Sequence, residues 1–163
     1  MPDPTVSPIL RIDLADADAT AALGRRFADI LRAGDVLLLE GPIGAGKTHF
    51  ARALIQARLA RLGRHEDVPS PTFTLVQVYE ADPEIWHADL YRLTHPDEVI
   101  ELGLEEAFDT AICLVEWPDR LGEMIPEKAL FLRFLSLNDG ASRLAELYGN
   151  AEWAQRLDAW KQG

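Results

Sequence analysis

The sequence has few of the features that mark secreted or membrane-spanning proteins. Cys113 is the only cysteine among 163 residues, so an intramolecular disulfide is excluded and a reducing compartment is favoured. The longest apolar runs, VLLL at 36–39 and AICLV at 111–115, are far too short to cross a bilayer. The first ten residues, MPDPTVSPIL, contain no basic stretch leading into an apolar one, which argues against a secretory signal. We therefore expect a cytoplasmic protein without membrane association.

Basic residues are also scarce. There are 16 Lys and Arg against 27 Asp and Glu, which gives a net charge of −11. A protein that binds nucleic acid directly normally has a basic surface, because phosphate contacts dominate that affinity. The arginines cluster only between Arg52 and Arg64. We expect no DNA binding, and we expect any RNA to be reached through a partner protein.

Apolar residues nevertheless make up 48% of the chain and are spread along it, which indicates one globular domain over residues 1–163. Periodicity predicts helices over 16–33, 47–62 and 96–108, and strands over 35–40, 72–80, 85–93, 111–116 and 130–137. This alternation predicts an α/β fold with a partly parallel sheet flanked by helices, and the second and third strands predict an antiparallel hairpin. Within the tail, 151–163, a C-terminal helix is predicted to pack Trp153, Leu157 and Trp160 against the domain.

The segment GPIGAGKT at 41–48 is a complete phosphate-binding P-loop pattern between a predicted buried strand and an amphipathic helix. Its glycines let backbone N–H groups approach a polyphosphate without a side chain in the way. Lys47 can reach the β- and γ-phosphates, and the Thr48 hydroxyl can bind Mg²⁺. The alternative, an ordinary glycine turn before a helix, is disfavoured by the full pattern in this context. The predicted nucleotide-binding residues of the loop are Gly41, Gly44, Ala45, Gly46, Lys47 and Thr48.

Three further positions are candidates for the chemistry of the site. Glu116 directly follows a buried strand, as does the acid that positions magnesium in such folds, although it could simply cap the strand end. Asp89 lies among aromatic residues in WHADLY, where a partly desolvated carboxylate could orient a water or a metal ligand; the alternative is an ion pair with Arg92. The segment 70–72, Ser-Pro-Thr, offers two hydroxyls on a stiff loop, suited to sensing a terminal phosphate or to capping a strand. His87, a lone histidine near an apolar segment, is more typical of a structural residue.

Five segments, GPIGAGKT, SPTFTLVQVYE, WHADLYRL, LGLEEAF and ICLVEWPDRL, occur in an order and at spacings that resemble the TsaE (YjeE) family. These are bacterial ATPases that support threonylcarbamoylation of tRNA adenosine next to the anticodon. The resemblance extends from about residue 23 to about residue 121, and the part after 138 matches poorly. It implies a P-loop ATPase with ATP and Mg²⁺ as cofactors that acts with the proteins TsaD and TsaB. The tRNA would then be contacted only through the complex.

The resemblance also implies roles for individual residues. Lys47 would bind phosphate and Thr48 the metal, and Glu116 would be the second residue beside the metal. Thr72, in the family's switch segment, and Asp89, at the family's functionally critical aspartate, are the other catalytic candidates. Trp117 would lie beside the nucleotide.

Three positions depart from the family pattern. His49 stands where the family usually has a second hydroxyl. Ala17 occupies the usual position of an N-terminal adenine contact and could contribute only its backbone. Arg143 loosely matches an arginine in the family's C-terminal ending. We include all three among the candidate nucleotide-binding residues.

Two other functions fit a P-loop. A small-molecule kinase would need an acceptor pocket and an arginine-bearing lid, whereas the segment after Pro96 is acidic. A nucleotide-dependent binding module without significant turnover would differ from the ATPase mainly in whether partners stimulate hydrolysis. No guanine-reading NKxD string is present, so the preference for ATP follows from the resemblance.

Overall fold

The two apolar runs of the sequence lie side by side at the centre of one sheet. In the computed structural model, which describes residue 2 and residues 5–161, they form the neighbouring parallel strands β2 (Val36–Glu40) and β5 (Ile112–Glu116). Both are buried along almost their whole length. Strands covered on both faces need apolar side chains at every position, which explains the unbroken runs.

The remaining described strands complete a seven-stranded sheet. They are β1 (Leu10–Leu14), β3 (Val76–Tyr79), β4 (Ile85–Asp89), β6 (Leu130–Leu137) and β7 (Ser142–Tyr148). The order across the sheet is β1-β7-β6-β2-β5-β4-β3. The four strands from β6 to β4 are parallel, β3 and β4 form an antiparallel hairpin, and β1, β7 and β6 are antiparallel at the other side. The predicted α/β fold with a partly parallel sheet and a hairpin is confirmed.

Helices cover both faces of this sheet. On one face lie α1 (Ala17–Ile30) and α2 (Lys47–Ala60), and on the other lie α3 (Glu98–Leu102) and α4 (Leu104–Thr110). Successive residues of a strand point to opposite faces, so Leu37 joins the first layer and Leu38 the second. Within residues 5–161, none of the helices has both the length and the apolarity needed to span a membrane.

The C-terminal residues return to the α1 side of the sheet. They form α5 (Ala151–Arg156) and a 3₁₀ helix over Asp158–Lys161. Trp153 and Leu157 are buried, and the ring of Trp160 lies 4.9 Å from that of Phe27. The predicted apolar stripe therefore packs on the domain, although the last two residues of the tail lie outside the described residues. The extent of the domain, 1–163, stays a prediction.

Several predicted boundaries are wrong. The helix expected over 96–108 is two helices, because Gly103 adopts a left-handed φ of 81° between them. The strand expected over 72–80 is reduced to β3, since residues 72–74 form a turn, and β4 ends at Asp89 rather than at 93. The first helix ends at Ile30, and α2 ends at Ala60, so that Leu62 is exposed instead of lying on the buried face. Strands β1 and β7 were not predicted.

Candidate functional site

The P-loop connects the end of β2 to the start of α2, as the sequence predicts. Gly41 has a φ of 149° and Gly46 a φ of 106°, which L side chains rarely adopt. A Cβ at Gly41 would lie 2.8 Å from the carbonyl oxygen of Phe134 on β6, closer than real side chains approach. Gly41 must therefore be glycine both for its backbone conformation and for its closeness to β6.

Lys47 is the first residue of α2, and its side chain is buried. Its Nζ donates to the Gly41 carbonyl and lies 3.6 Å from the centroid of the Trp117 ring. Burial lowers the pKa of the ammonium group below its ordinary value, an effect that the nearby carboxylates Glu116 and Asp89 partly offset. Among the described residues no carboxylate forms an ion pair with Lys47. A buried ammonium that makes no direct ion pair fits the binding of an anion such as a polyphosphate.

Thr48 and Glu116 meet across the gap between α2 and β5. The Thr48 hydroxyl donates to the Glu116 carboxylate, with distances of 2.8 Å to Oε1 and 3.0 Å to Oε2. On the far side of the carboxylate, Nε2 of His87 lies 2.7 Å from Oε2. Glu116 is 2% exposed, so it does more than cap a strand end at the surface. A hydroxyl and a carboxylate next to a phosphate loop are the protein groups that Mg²⁺ uses beside nucleotide phosphates.

Asp89 ends β4 directly beside Glu116, its register partner on β5. Its Oδ1 accepts from the backbone N–H of Tyr91 at 3.0 Å, and its Oδ2 accepts from the Thr72 hydroxyl at 3.1 Å. Thr72 in turn lies 2.7 Å from the hydroxyl of Ser70. Asp89 is 5% exposed, in agreement with the expected desolvation.

The alternative reading of Asp89 as an ion-pair partner is wrong. Arg92 makes no ion pair with it, and the Arg92 guanidinium instead lies over the exposed ring of Phe73, 4.3 Å from its centroid. The carboxylate is therefore held by hydrogen bonds alone.

These side chains surround one cavity of about 440 Å³. Its lining includes Lys47, Thr48, Thr72, Asp89, Glu116 and Trp117. Trp117 follows β5 with a left-handed φ of 59°, and its ring packs against Tyr91 at 4.9 Å. The strand end and the turn after it thus bring the predicted catalytic and metal-side residues to the same cavity as the loop.

A second cavity, of about 270 Å³, lies on the other side of the P-loop. It is lined by the three residues that depart from the family pattern, Ala17, His49 and Arg143, together with loop residues Gly44, Ala45 and Gly46. Nε2 of His49 lies 3.0 Å from the Ala17 carbonyl oxygen, and the Arg143 guanidinium donates to the Gly44 carbonyl at 3.2 Å. Ala17, His49 and Arg143 are therefore grouped beside the loop, and His49 also lines the 440 Å³ cavity that contains Glu116.

Sequence reasoning missed two residues here. The sequence pattern favours a purely structural role for His87, yet its ring contacts the Glu116 carboxylate. Its spacing of two from Asp89 on one predicted strand was the signal available, since residues i and i+2 share a face. Tyr91 contributes its N–H to Asp89 and its ring to Trp117, and no sequence pattern indicated either contact.

Several known proteins are similar to this chain over most of its length. A family model described as threonylcarbamoyl adenosine biosynthesis protein TsaE matches residues 14–144. The tRNA threonylcarbamoyladenosine biosynthesis protein TsaE of a Nostoc species is 38% identical over 151 residues, covering 88% of each chain. The protein of the same name from Rickettsia felis is 34% identical over 146 residues, covering 89% of this chain and 83% of the other. In fold, the crystal structure of Bacillus subtilis YdiB superposes with a TM-score of 0.74 at 28% identity, covering 92% of this chain and 91% of that one.

Proposed function

The chain belongs to the TsaE family, and from that membership we propose that it is the ATP-binding and ATP-hydrolysing subunit required for threonylcarbamoyl modification of tRNA adenosine next to the anticodon. Its relatives are named as tRNA threonylcarbamoyladenosine biosynthesis proteins, which assigns the pathway. The observation that carries the ATPase part is the buried Lys47 ammonium, which has no ion pair among the described residues and lines a cavity beside the P-loop.

ATP is the proposed nucleotide. The backbone turns at Gly41, Gly44 and Gly46 leave the loop without side chains at its closest approach to a ligand, and Lys47 supplies positive charge. We assign the polyphosphate to this loop and the adenine side to the second cavity, beside Ala17, His49 and Arg143. In this arrangement Ala17 would contribute its backbone only.

Mg²⁺ is the proposed metal, with Thr48 and Glu116 as its protein groups. The remaining positions would be filled by phosphate oxygens and waters, since Mg²⁺ is usually held by one or two protein groups plus substrate phosphates. The described residues contain no cluster of three or more His, Cys, Asp or Glu suited to holding a metal by themselves, in keeping with such a shared site. A magnesium ion held by Thr48 and Glu116 would neutralise charge that develops on the phosphates.

Asp89 and Thr72 are the proposed catalytic groups next to the terminal phosphate. Oδ1 of Asp89 is occupied by the Tyr91 N–H, whereas Oδ2 holds only the Thr72 hydroxyl. We assign to Oδ2 the orientation of the attacking water, for which it can accept a hydrogen bond when Thr72 turns toward the nucleotide. A terminal phosphate that attracts the Thr72 hydroxyl would thereby free Oδ2 of Asp89 to accept a hydrogen bond from water.

The partners proposed are TsaD and TsaB, with tRNA contacted only through the complex. Among the residues that line the 440 Å³ cavity, Lys47 is the one Lys or Arg side chain, and no arginine is present to stabilise a transferring phosphoryl group. We therefore expect weak hydrolysis by the chain alone and faster hydrolysis with its partners. The net charge of −11 supports indirect contact with tRNA and argues against DNA binding. We further propose a cytoplasmic location.

The site argues against one alternative function, and stimulation by partners separates the other from this proposal. A kinase lid would need arginines, whereas helices α3 and α4 carry acidic residues in their first turns. A binding module without turnover is favoured by the absence of arginine from the cavity lining, and it differs in showing no stimulation by partners.

The experiment that tests the proposal is reconstitution of tRNA threonylcarbamoylation from purified components, with and without this chain. We expect modification to require the chain and to be lost with Lys47→Ala, because that change removes the cation of the loop. Lys161→Ala, at an exposed position of the C-terminal 3₁₀ helix, is the matched control and should behave like the wild type. Full modification without the chain would contradict the assignment.

A further inference from the structure

His87 is a completely buried polar residue whose side chain makes one hydrogen bond among the described residues, to Glu116. It lies on β4, where the parallel register pairs it with Leu114, two residues before Glu116 on β5. The distance from Nε2 to Glu116 Oε2 is 2.7 Å. The pairing of the two strand backbones therefore fixes where both side chains begin.

The chemistry of the pair fixes the direction of this hydrogen bond. An ionised carboxylate accepts and does not donate, so with Glu116 ionised the proton of this bond is assigned to Nε2 of His87. The other ring nitrogen, Nδ1, is buried and has no partner in the described structure. Burying Nδ1 without a hydrogen bond costs free energy. An apolar side chain would fill the same space without that cost, so packing alone does not explain a histidine here.

Glu116 needs a second contact to hold its orientation. The Thr48 hydroxyl lies at similar distances from both carboxylate oxygens, 2.8 Å and 3.0 Å, so it does not select a rotation of the carboxylate by itself. His87 contacts Oε2 alone, and its side chain is completely buried. We propose that His87 is a positioning residue, which donates from Nε2 to Oε2 of Glu116 and so fixes the carboxylate plane that Thr48 and the magnesium side of the site require. This inference rests on the proposed function.

The test compares two substitutions that place a nitrogen at different depths. In His87→Gln the side-chain amide nitrogen replaces Nε2, whereas in His87→Asn it replaces Nδ1 and does not reach Glu116. Affinity for ADP is measured by calorimetry on the full chain, once in EDTA and once with saturating Mg²⁺, and thermal unfolding in EDTA reports folding. Thr48→Val, which removes the other partner of Glu116, sets the scale of the effect.

We expect His87→Asn to reduce the Mg²⁺-dependent gain in ADP affinity by about ten- to a hundredfold, as loss of a supporting contact to a metal ligand does. Its affinity in EDTA should stay within about twofold of the wild type, because the loop and Lys47 are untouched. His87→Gln should recover most of the gain. Equal gains for the Gln and Asn variants, or a parallel loss in EDTA and in Mg²⁺, would overturn the proposal.

Folding failures also decide the question. If only His87→Asn fails to fold, a normal gain in His87→Gln supports the proposal and a reduced gain contradicts it. If both fail to fold, His87 has a structural role and the proposal is wrong. A wild-type protein without any Mg²⁺-dependent gain would instead contradict the proposed function, so the two failures are distinguishable.

Discussion

Replacing Asp89 by asparagine removes one negative charge from the cavity and changes the shape of the side chain very little. The amide oxygen can keep the hydrogen bond from the Tyr91 N–H, which is 3.0 Å long in the wild type. The amide nitrogen takes the place of Oδ2 and can donate to the Thr72 hydroxyl, which reverses the existing 3.1 Å bond. Both contacts therefore survive, and only the charge and its proton affinity are lost.

The expected effects on stability and on turnover differ widely. A single rearranged hydrogen bond is worth about 1 kcal/mol, so we expect the free energy of unfolding to change by less than about 1.5 kcal/mol. A positioned acid–base group typically contributes about 10²- to 10⁴-fold to a rate. At about 1.4 kcal/mol per tenfold, the barrier to hydrolysis should rise by about 2.8–5.6 kcal/mol. Affinity for ADP should change by less than about threefold, because Lys47 and the loop are intact.

The assay is partner-stimulated ATP turnover, measured beside calorimetric ADP binding and urea unfolding. Asp119→Asn is the matched control, since it also removes a carboxylate near Lys47, but one whose side chain is 52% exposed. We expect the control to retain its turnover. Full stimulated turnover in Asp89→Asn would refute the role given to Asp89, and a comparable loss in both variants would reduce that role to general electrostatics.

Four further predictions follow from the structure. Lys47→Ala should abolish ADP binding measured by calorimetry. Thr72→Ala should lower partner-stimulated turnover while ADP affinity stays nearly unchanged. A large loss of ADP affinity in Thr72→Ala would contradict the placement of Thr72 at the terminal phosphate. Gly24→Ala should destabilise the fold by about 1–2 kcal/mol in urea, because its Cβ would lie 2.6 Å from the Phe50 carbonyl on α2 and the gain in helix propensity offsets about 1 kcal/mol. Burial raises the pKa of the Cys113 thiol to about 12, so thiol reagents at pH 8 should modify it only as fast as the protein unfolds; rapid labelling of folded protein would refute its burial.

The central strands and the loop could be predicted because their signals are local. The run at 36–39 is apolar at every position, which two covered faces require, and GPIGAGKT carries its own backbone geometry. The hairpin was found for the same reason, although residues 72–74 turn instead of extending into β3. Gly103 was also a readable signal, since a glycine within a helical pattern often marks an end.

The two unpredicted strands depend on partners that are distant in sequence. β7 reads SRLAELY, in which Leu, Ala and Glu favour helix, and it becomes a strand because it pairs with β6 on one side and β1 on the other. β1 pairs with residues 143–147, more than a hundred positions away. No local periodicity could reveal either pairing.

The site divides in a similar way. Motif matching identified Lys47, Thr48, Asp89 and Glu116, which the structure brings to one cavity. The contact of His87 with Glu116 depends on the register between β4 and β5. No local sequence pattern predicts that register. His49 and Arg143, which depart from the family pattern, both lie beside the loop. His49 is on α2, which the sequence predicts, whereas Arg143 is on β7, which it does not.

The most direct measurement of the central claim is calorimetric titration of ATP and ADP into the folded chain, with Mg²⁺ and with EDTA. A buried ammonium that has no ion pair within residues 5–161, beside a glycine-lined loop and a Thr–Glu pair, predicts saturable binding of both nucleotides that tightens with Mg²⁺ and disappears in Lys47→Ala. Folded protein that gives no binding heat at several temperatures, and no nucleotide-dependent shift in thermal unfolding, would contradict the account.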